Sequence, residues 1–336
     1  MRIRPEHAGV TSVETGMPAT APWTSPPVVV VMRDAGAFFA QVTLASVLLN
    51  APSRSFPLVV AARSPDGAAV AGFDRLGKRL GAGITVVDLA AASPATGDGP
   101  PPDLRLVLPE VLDCARMALL ESDLVVQADI TAIWNGYQDG KVAGGVPDRA
   151  GRDWKRANGR TVPDLYVNSG VLLLDCEAWR RERAGTACRD WLEQNRASVQ
   201  FPFQDSLNAA LEGRIYPIEE TWNVTPNELR RKGVTNIEQF YDVDTFSGIF
   251  HFDGPSPKPW CRWSNPWTQE LYLRYARVVG LPADFWVEAR TLPEAAAEAR
   301  WAERKGDLVK ANRIYRRIVD GLMQRGAAAG ASRRLQ

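Results

Sequence analysis

Between Val28 and Leu89 short β-branched runs alternate with stretches of helical spacing. "VVVVM" (Val28 to Met32), "LVVAA" (Leu58 to Ala62) and "ITVVDL" (Ile84 to Leu89) read as strands buried on both faces. "AFFAQVTLASVLLN" (Ala37 to Asn50) and "FDRLGKRL" (Phe73 to Leu80) lie between them with helical periodicity. Strand, helix, strand, helix, strand predicts right-handed βαβ units in a parallel sheet, which restricts the fold class to α/β. Ligands of such sheets bind outside the carboxyl ends of the strands.

One strand is interrupted where a ligand is expected. In "MALLESDLVVQADITAIWN" (Met117 to Asn135) the residues Glu121, Ser122 and Asp123 break an apolar run. Residues two apart in an extended chain point to the same face, and two like charges there are costly without a partner. The pair alone reads equally as a polar kink with both acids in water.

Composition excludes several classes. The 336 residues are 45% hydrophobic and 24% charged, enough for a substantial core, and the formal net charge of +1 gives no global argument for nucleic acid. Four cysteines with no CxxC spacing argue against a thiolate zinc site or a disulfide framework and fit a reducing compartment. No run approaches the ~18 apolar residues of a membrane span, and the N-terminus lacks the apolar core of a signal peptide. A cytoplasmic protein is expected. Residues 1–27, rich in Pro, Thr, Ser and Ala without periodicity, read as a disordered arm.

The later elements are shorter: a strand at "GVLLLD" (Gly170 to Asp175), a helix at "DSLNAALEG", a strand at "GIFHF" (Gly248 to Phe252) and helices from Pro293 onward with a turn at Gly306 and Asp307. Of two histidines, His7 lies in the arm, and His251 ends a strand and opens "HFDGPSPKPW". A histidine beside a glycine turn is often structural. Set beside Glu121 and Asp123 it completes an oxygen/nitrogen donor set suited to Mn²⁺ or Mg²⁺, open to phosphate oxygens. Lys258 then adds a positive charge, and Gly254 lets backbone approach a pyrophosphate.

Four blocks, in order, make the chain resemble glycosyltransferase family 8, the retaining, metal-dependent enzymes of nucleotide sugars. They are "LRLVLPEVLDCARMALLESDLVVQADITAIWN", "YVNSGVLLLDCEAWR", "FPFQDSLNAALEGRIYPIEETWNV" and "IFHFDGPSPKPW". The resemblance covers about Val28 to Trp267. It implies a GT-A-type nucleotide-sugar-binding fold, a Rossmann-like mixed sheet flanked by helices, here with a C-terminal helical extension. The catalytic domain is expected over 28–280 and the extension over 281–336.

The resemblance also implies a transferred hexose, glucose or galactose, from a UDP-sugar to a glycan or lipid-linked acceptor. It assigns Glu121, Asp123 and His251 to the metal, with Ser122 between the carboxylates beside the nucleotide. Arg105 would touch the donor sugar or its phosphate, Asn168 and Gln204 would line the sugar pocket, and Asp205 would bind sugar hydroxyls. Lys258 and Gly254 would hold the diphosphate, and Asp34 would contact the base.

The chain departs from the family pattern at several points. Glu121 and Phe203 stand where the family has Asp, Pro257 lengthens the His-to-Lys loop, and the Arg33-Asp34-Ala35-Gly36 turn leaves Asp34 alone for the base. A nucleotide-sugar-binding protein with weakened or lost turnover is therefore the alternative reading. From Arg300 to Gln336 ten Lys/Arg face three Asp/Glu, and Leu308, Ala311, Tyr315, Ile318, Val319 and Leu322 share a helical face. That stripe reads either as packing against the catalytic domain or as peripheral contact with an anionic membrane, at its inner face.

Overall fold

The computed structural model describes residues 2–7, 9–16, 25–32, 36–93, 103–197, 199–254, 256–289 and 291–332. The chain divides into two compact units, Met1–Gly254 with Tyr275–Val279, and Pro255–Arg274 with Gly280–Gln336. These units do not follow the expected boundary at 280, because the second takes in the Lys-Pro-Trp loop.

The first unit opens on β1 (Thr11–Gly16), β2 (Val28–Val31), α1 (Ala37–Asn50), β3 (Leu58–Ala62), α2 (Gly67–Leu80), β4 (Gly83–Asp88), α3 (Leu104–Val111) and β5 (Arg116–Leu120). It continues through β6 (Leu124–Val126), β7 (Ala143–Pro147), α4 (Arg149–Ala157), β8 (Val167–Asp175), α5 (Cys176–Arg181), α6 (Ala184–Asn195), α7 (Pro202–Ala210), β9 (Ile215–Pro217), α8 (Pro226–Arg231) and β10 (Ile249–His251). Among the described residues the main sheet has the order β1-β4-β3-β2-β5-β8-β7-β9, and β10 pairs with β6 in a second, two-stranded sheet.

Strands β4, β3, β2 and β5 are parallel, as the alternation predicts, and β1 and β8 add antiparallel neighbours. The chain runs from β2 outward to β4 and returns to the other side of β2 as β5. That reversal makes the carboxyl ends of β2 and β5 the place where a crevice opens. Val29, Val31, Val59 and Leu119 of the sheet join Leu106 of α3, Trp179 of α5 and Leu207 of α7 in one buried cluster.

The expected disordered arm is corrected for part of its length. Thr11–Gly16 forms the edge strand β1, paired from Thr11–Asp88 to Gly16–Gly83, and Ile3 bridges to Leu112. Its sequence hides this because an edge strand exposes most of its residues: only Thr15 is buried.

The interruption at Glu121 is a change of sheet. The chain leaves β5, and three residues later enters β6 against β10. Helix α1 holds the new course: the Thr43 hydroxyl donates to the carbonyls of Ser122 and Leu124, Ser46 accepts from the Val126 N–H, and the Asn50 amide donates to Val126 O. Positions 43, 46 and 50 recur along one helical face, so the polar residues in this buried helix serve β6.

The second unit contains α10 (Leu292–Arg304) and α11 (Leu308–Ser332), and the residues of α9 (Pro266–Val279) are divided, those up to Arg274 in the second unit and those from Tyr275 in the first. The α10–α11 turn closes on Gly306 at φ +79°, and the Asp307 N–H bonds to Ala302 O. Lys310 pairs with Glu298 at 2.7 Å and stands over Trp301. The expected apolar stripe is only partly a packing face. Ala311 and Ile314 are buried, while Leu308, Val319 and Leu322 are 61%, 48% and 52% exposed. The buried face therefore centres on Ala311 and Ile314, and a second apolar edge faces outward.

Candidate metal centre

Glu121, Asp123 and His251 come together at the carboxyl end of β5, each with a ligand atom within 4.8 Å of the others. Nε2 of His251 lies 3.2 Å from Asp123 Oδ1 and 3.6 Å from Glu121 Oε2. Its Nδ1 faces Asn223 Oδ1 at 3.1 Å, which aims Nε2 at the carboxylates. The ring is 2% exposed and lies against Gly170, where a Cβ would run into His251 Cε1. Glycine at that position of β8 is what gives the imidazole its place. Burial opposes charge on His251, but the Asp123 charge and the hydrogen bonds that the ring donates to both carboxylates outweigh it and lift its pKa to about 10.

Arg105 supplies the positive charge of the cluster. Its Nε and Nη2 donate to the two oxygens of Asp103 at 2.8 and 2.6 Å, and Nη1 donates to Glu121. Its guanidinium lies 4.1 Å from the centroid of the Phe203 ring. Burial pushes the Glu121 carboxyl up, and the Arg105 charge more than reverses this, holding it at about 2. Two carboxylates and an imidazole in this arrangement fit a hard or borderline divalent ion with oxygen-rich coordination.

A second polar chain runs beside it. Gln204 of α7 accepts the Ser169 N–H at 3.0 Å, and its amide donates to Asp148 Oδ2 at 3.0 Å and to the Tyr166 hydroxyl at 3.1 Å. Asp148 follows β7, and burial raises its pKa. The strand β8 links the two groups. Asn168 donates to Asp253 Oδ2 at 3.0 Å and accepts from the Asn223 amide at 2.9 Å. Asn168 is thus a strand residue wired to the histidine through Asn223.

Asp205 was expected at sugar hydroxyls. In the structure its oxygens accept from Tyr166 at 2.6 Å, from Lys155 at 2.8 Å, and from the N–H groups of Gln200 and Phe201 at 3.0 Å. Lys155 is 2% exposed, so the carboxylate is the counter-charge of a buried ammonium. Burial raises the Asp205 pKa, and the hydrogen bonds from Lys155 and Tyr166 outweigh it, leaving the pKa lowered.

The remaining expected residues fall as follows. Gly254 adopts φ +78°, and a Cβ there would meet the Asn227 side chain. Ser122 is half-buried and its carbonyl is taken by Thr43. Lys258 belongs to the second unit, where its carbonyl accepts the Cys261 N–H at 2.8 Å. Asp34 lies outside the described residues.

Sequence reasoning missed Asp103, Asp148, Lys155, Tyr166, Asn223 and Asp253. Asn223 and Asp253 stand inside the family-like blocks "TWNV" and "HFDG". Lys155 left no signal, since "RDWKRANGR" reads as a solvated basic helix.

An open α/β sheet with an acidic pair and an imidazole at its reversal point defines the GT-A class of fold. Residues 103–264, just under half of the chain, match Glycosyl transferase family 8, the family that the four sequence blocks resemble. General stress protein A of Bacillus subtilis (strain 168) is 24% identical over 193 residues, 53% of this chain and 67% of that protein. Lipopolysaccharide 1,2-glucosyltransferase of Escherichia coli (strain K12) is 26% identical over 155 residues, 44% of this chain and 45% of that protein. The crystal structure of the galactosyltransferase LgtC with donor and acceptor sugar analogues covers 77% of this chain and 98% of its own, at 23% identity and a TM-score of 0.60.

Proposed function

We propose that the chain is a retaining glycosyltransferase that takes a hexose, glucose or galactose, from a UDP-sugar and passes it to a glycan or lipid-linked acceptor. The observation that carries this reading is the Glu121–Asp123–His251 cluster at the carboxyl end of β5. These three residues would hold Mn²⁺ or Mg²⁺, which supplies charge for the leaving diphosphate. Arg105, already buried beside Glu121, adds a second cation to the same charge.

Gln204 would lie beside the anomeric carbon, with its amide fixed by Ser169, Asp148 and Tyr166. Because its oxygen accepts a backbone N–H and an amide is a poor nucleophile, the simpler course is attack by the acceptor from the leaving-group face. The departing phosphate then helps to take the acceptor's proton. Asp205, spent on Lys155 and Tyr166, supports this arrangement from behind.

The alternative, binding without turnover, draws on the Arg105–Glu121 pair, which occupies a carboxylate that the metal needs. A panel of UDP-, GDP- and ADP-sugars with Mn²⁺, followed by thermal shift and by nucleotide release, separates the two. Stabilisation by the UDP-sugars with release of UDP is expected. Stabilisation without release selects the alternative, and a larger shift with GDP- or ADP-sugars removes the uracil assignment.

Among the described residues no helix is long and apolar enough to cross a membrane. The outward edge of α11, with Leu308, Val309, Val319, Leu322 and Met323 exposed beside Arg313, Arg316 and Arg317, suits an anionic lipid surface. We propose a cytoplasmic protein that reaches a lipid-linked acceptor through this edge.

A further inference from the structure

Cys114 and Cys176 are 62 residues apart in sequence, and their sulfurs lie 3.7 Å from each other. Cys114 sits in the link between α3 and β5, and Cys176 is the first residue of α5, just after β8. The antiparallel β5–β8 ladder brings them together. Arg116 pairs with Asp175, and on the next rung the Cys176 N–H bonds to Ala115 O at 2.8 Å. All four cysteines of the chain are free thiols.

The two sulfurs differ in the way an attacking and a resolving thiol differ. Cys114 is half-buried between the exposed residues Asp113 and Ala115. Cys176 is fully buried. The Arg180 guanidinium donates to Cys114 O at 3.2 Å and to Pro109 O at 2.6 Å, fixing a positive charge beside the outer sulfur. The hydrogen bond from the Cys176 thiol lowers the Cys114 pKa, with the Arg180 charge adding to it against burial. Burial pushes the Cys176 thiol up. The outer thiol is therefore the more readily ionised of the two, and the inner one the more firmly protonated.

We propose that Cys114 and Cys176 are a peroxide-reactive dithiol that closes to an intrachain disulfide. The Cys114 thiolate attacks one oxygen of hydrogen peroxide, the O–O bond breaks, and hydroxide leaves, taking up a proton to become water. The product is a sulfenic acid on Cys114. The Cys176 sulfur then attacks that sulfur, the S–O bond breaks, and the departing hydroxide leaves as water with the Cys176 proton. Two thiols lose two electrons and two protons, and one peroxide becomes two waters. A dithiol reductant reverses the bond by exchange.

The bond forms at the amino end of β5, whereas Glu121 follows its carboxyl end. It ties the α3–β5 link to the start of α5 across a long loop, and closing such a loop restricts the unfolded chain. Oxidation therefore stabilises the fold without entering the metal cluster, and its test does not depend on the proposed transferase activity.

The experiment treats the reduced full-length protein with hydrogen peroxide, blocks remaining thiols with iodoacetamide, and maps non-reduced peptides by mass spectrometry. A peptide pair joined through Cys114 and Cys176 and a raised Tm reversed by dithiothreitol are expected. In Cys176→Ser, Cys114 should stop at the sulfenic acid and be trapped by dimedone. If Cys114 and Cys176 are both alkylated after peroxide treatment of the wild type, the proposal is wrong. A wild-type cross-link that instead joins Cys188 or Cys261 also overturns it.

Discussion

The imidazole Nε2 of His251 and Oδ1 of Asp123 are 3.2 Å apart, and this contact holds the strand β10 and the β5–β6 turn at a common point. The two residues are 128 positions apart in sequence.

That contact sets a pH dependence. The His251 pKa rises from 6.5 to about 10 in the folded metal-free chain. Its pairing with the carboxylates therefore stabilises the fold fully below about pH 6.5 and fades as the pH rises through about 10. A divalent ion needs the neutral ring, so binding between these limits expels one proton. Mn²⁺ affinity should rise by up to about tenfold per pH unit across this window. Calorimetry in buffers of different ionisation enthalpy would count the proton, and a pH-independent affinity would contradict the assignment of His251.

Arg105 competes for Glu121. Arg105→Met should bind Mn²⁺ more tightly than wild type in the absence of nucleotide, because a buried cation beside the carboxylate is gone. The same variant should lose UDP release from a donor sugar, since a charge on the leaving side goes with it. Manganese titration followed by the signal of the free ion measures the first effect. Weaker Mn²⁺ binding in Arg105→Met would show that Arg105 supports the cluster rather than opposing the ion.

Asp205 is a support, and its loss should be felt in stability. Asp205→Asn leaves the Lys155 ammonium buried without its counter-charge, at a cost of about 3 kcal/mol. Tyr166→Phe removes one hydrogen bond to the same carboxylate and should cost about 1 kcal/mol. Urea unfolding would rank the two variants. A neutral Asp205→Asn would return Asp205 to the list of groups available to a sugar.

The edge of α11 makes a fourth expectation. Replacing Arg313, Arg316 and Arg317 with Glu should abolish sedimentation with vesicles containing phosphatidylserine, because each basic residue near such a surface contributes about 1 kcal/mol. UDP affinity should be unchanged. Equal sedimentation of variant and wild type would remove the lipid surface as a partner.

The parallel half of the sheet was legible because strands buried on both faces cannot hide their β-branched runs, as Val28–Val31 and Leu58–Ala62 show. Glu121, Asp123 and His251 were legible because charge at the end of an apolar strand is conspicuous. β1 was not, since an edge strand with one buried residue has the composition of a coil. Lys155 was not, because a lone basic residue in a charged helix is ordinarily solvated, and only the fold brings Asp205 to it from 50 residues away. The reach of Arg105 to Asp103 and Glu121, together with its stacking on Phe203, also depends on distances that spacing along the chain does not encode.

The central claim is that Glu121, Asp123 and His251 hold a divalent ion that a nucleotide diphosphate completes. If so, Mn²⁺ and UDP bind with positive coupling, each tightening the other by the same factor. Asp123→Asn and His251→Ala should both remove the coupling, and Glu121→Gln should fail where Glu121→Asp survives, because the amide loses the charge and the shorter acid keeps it. The most direct measurement is UDP affinity titrated with and without Mn²⁺ in wild type and in Asp123→Asn. A strong Mn²⁺ effect in the wild type that disappears in the variant is predicted. An Mn²⁺ effect of the same size in both would mean that the carboxylates at the end of β5 hold no ion.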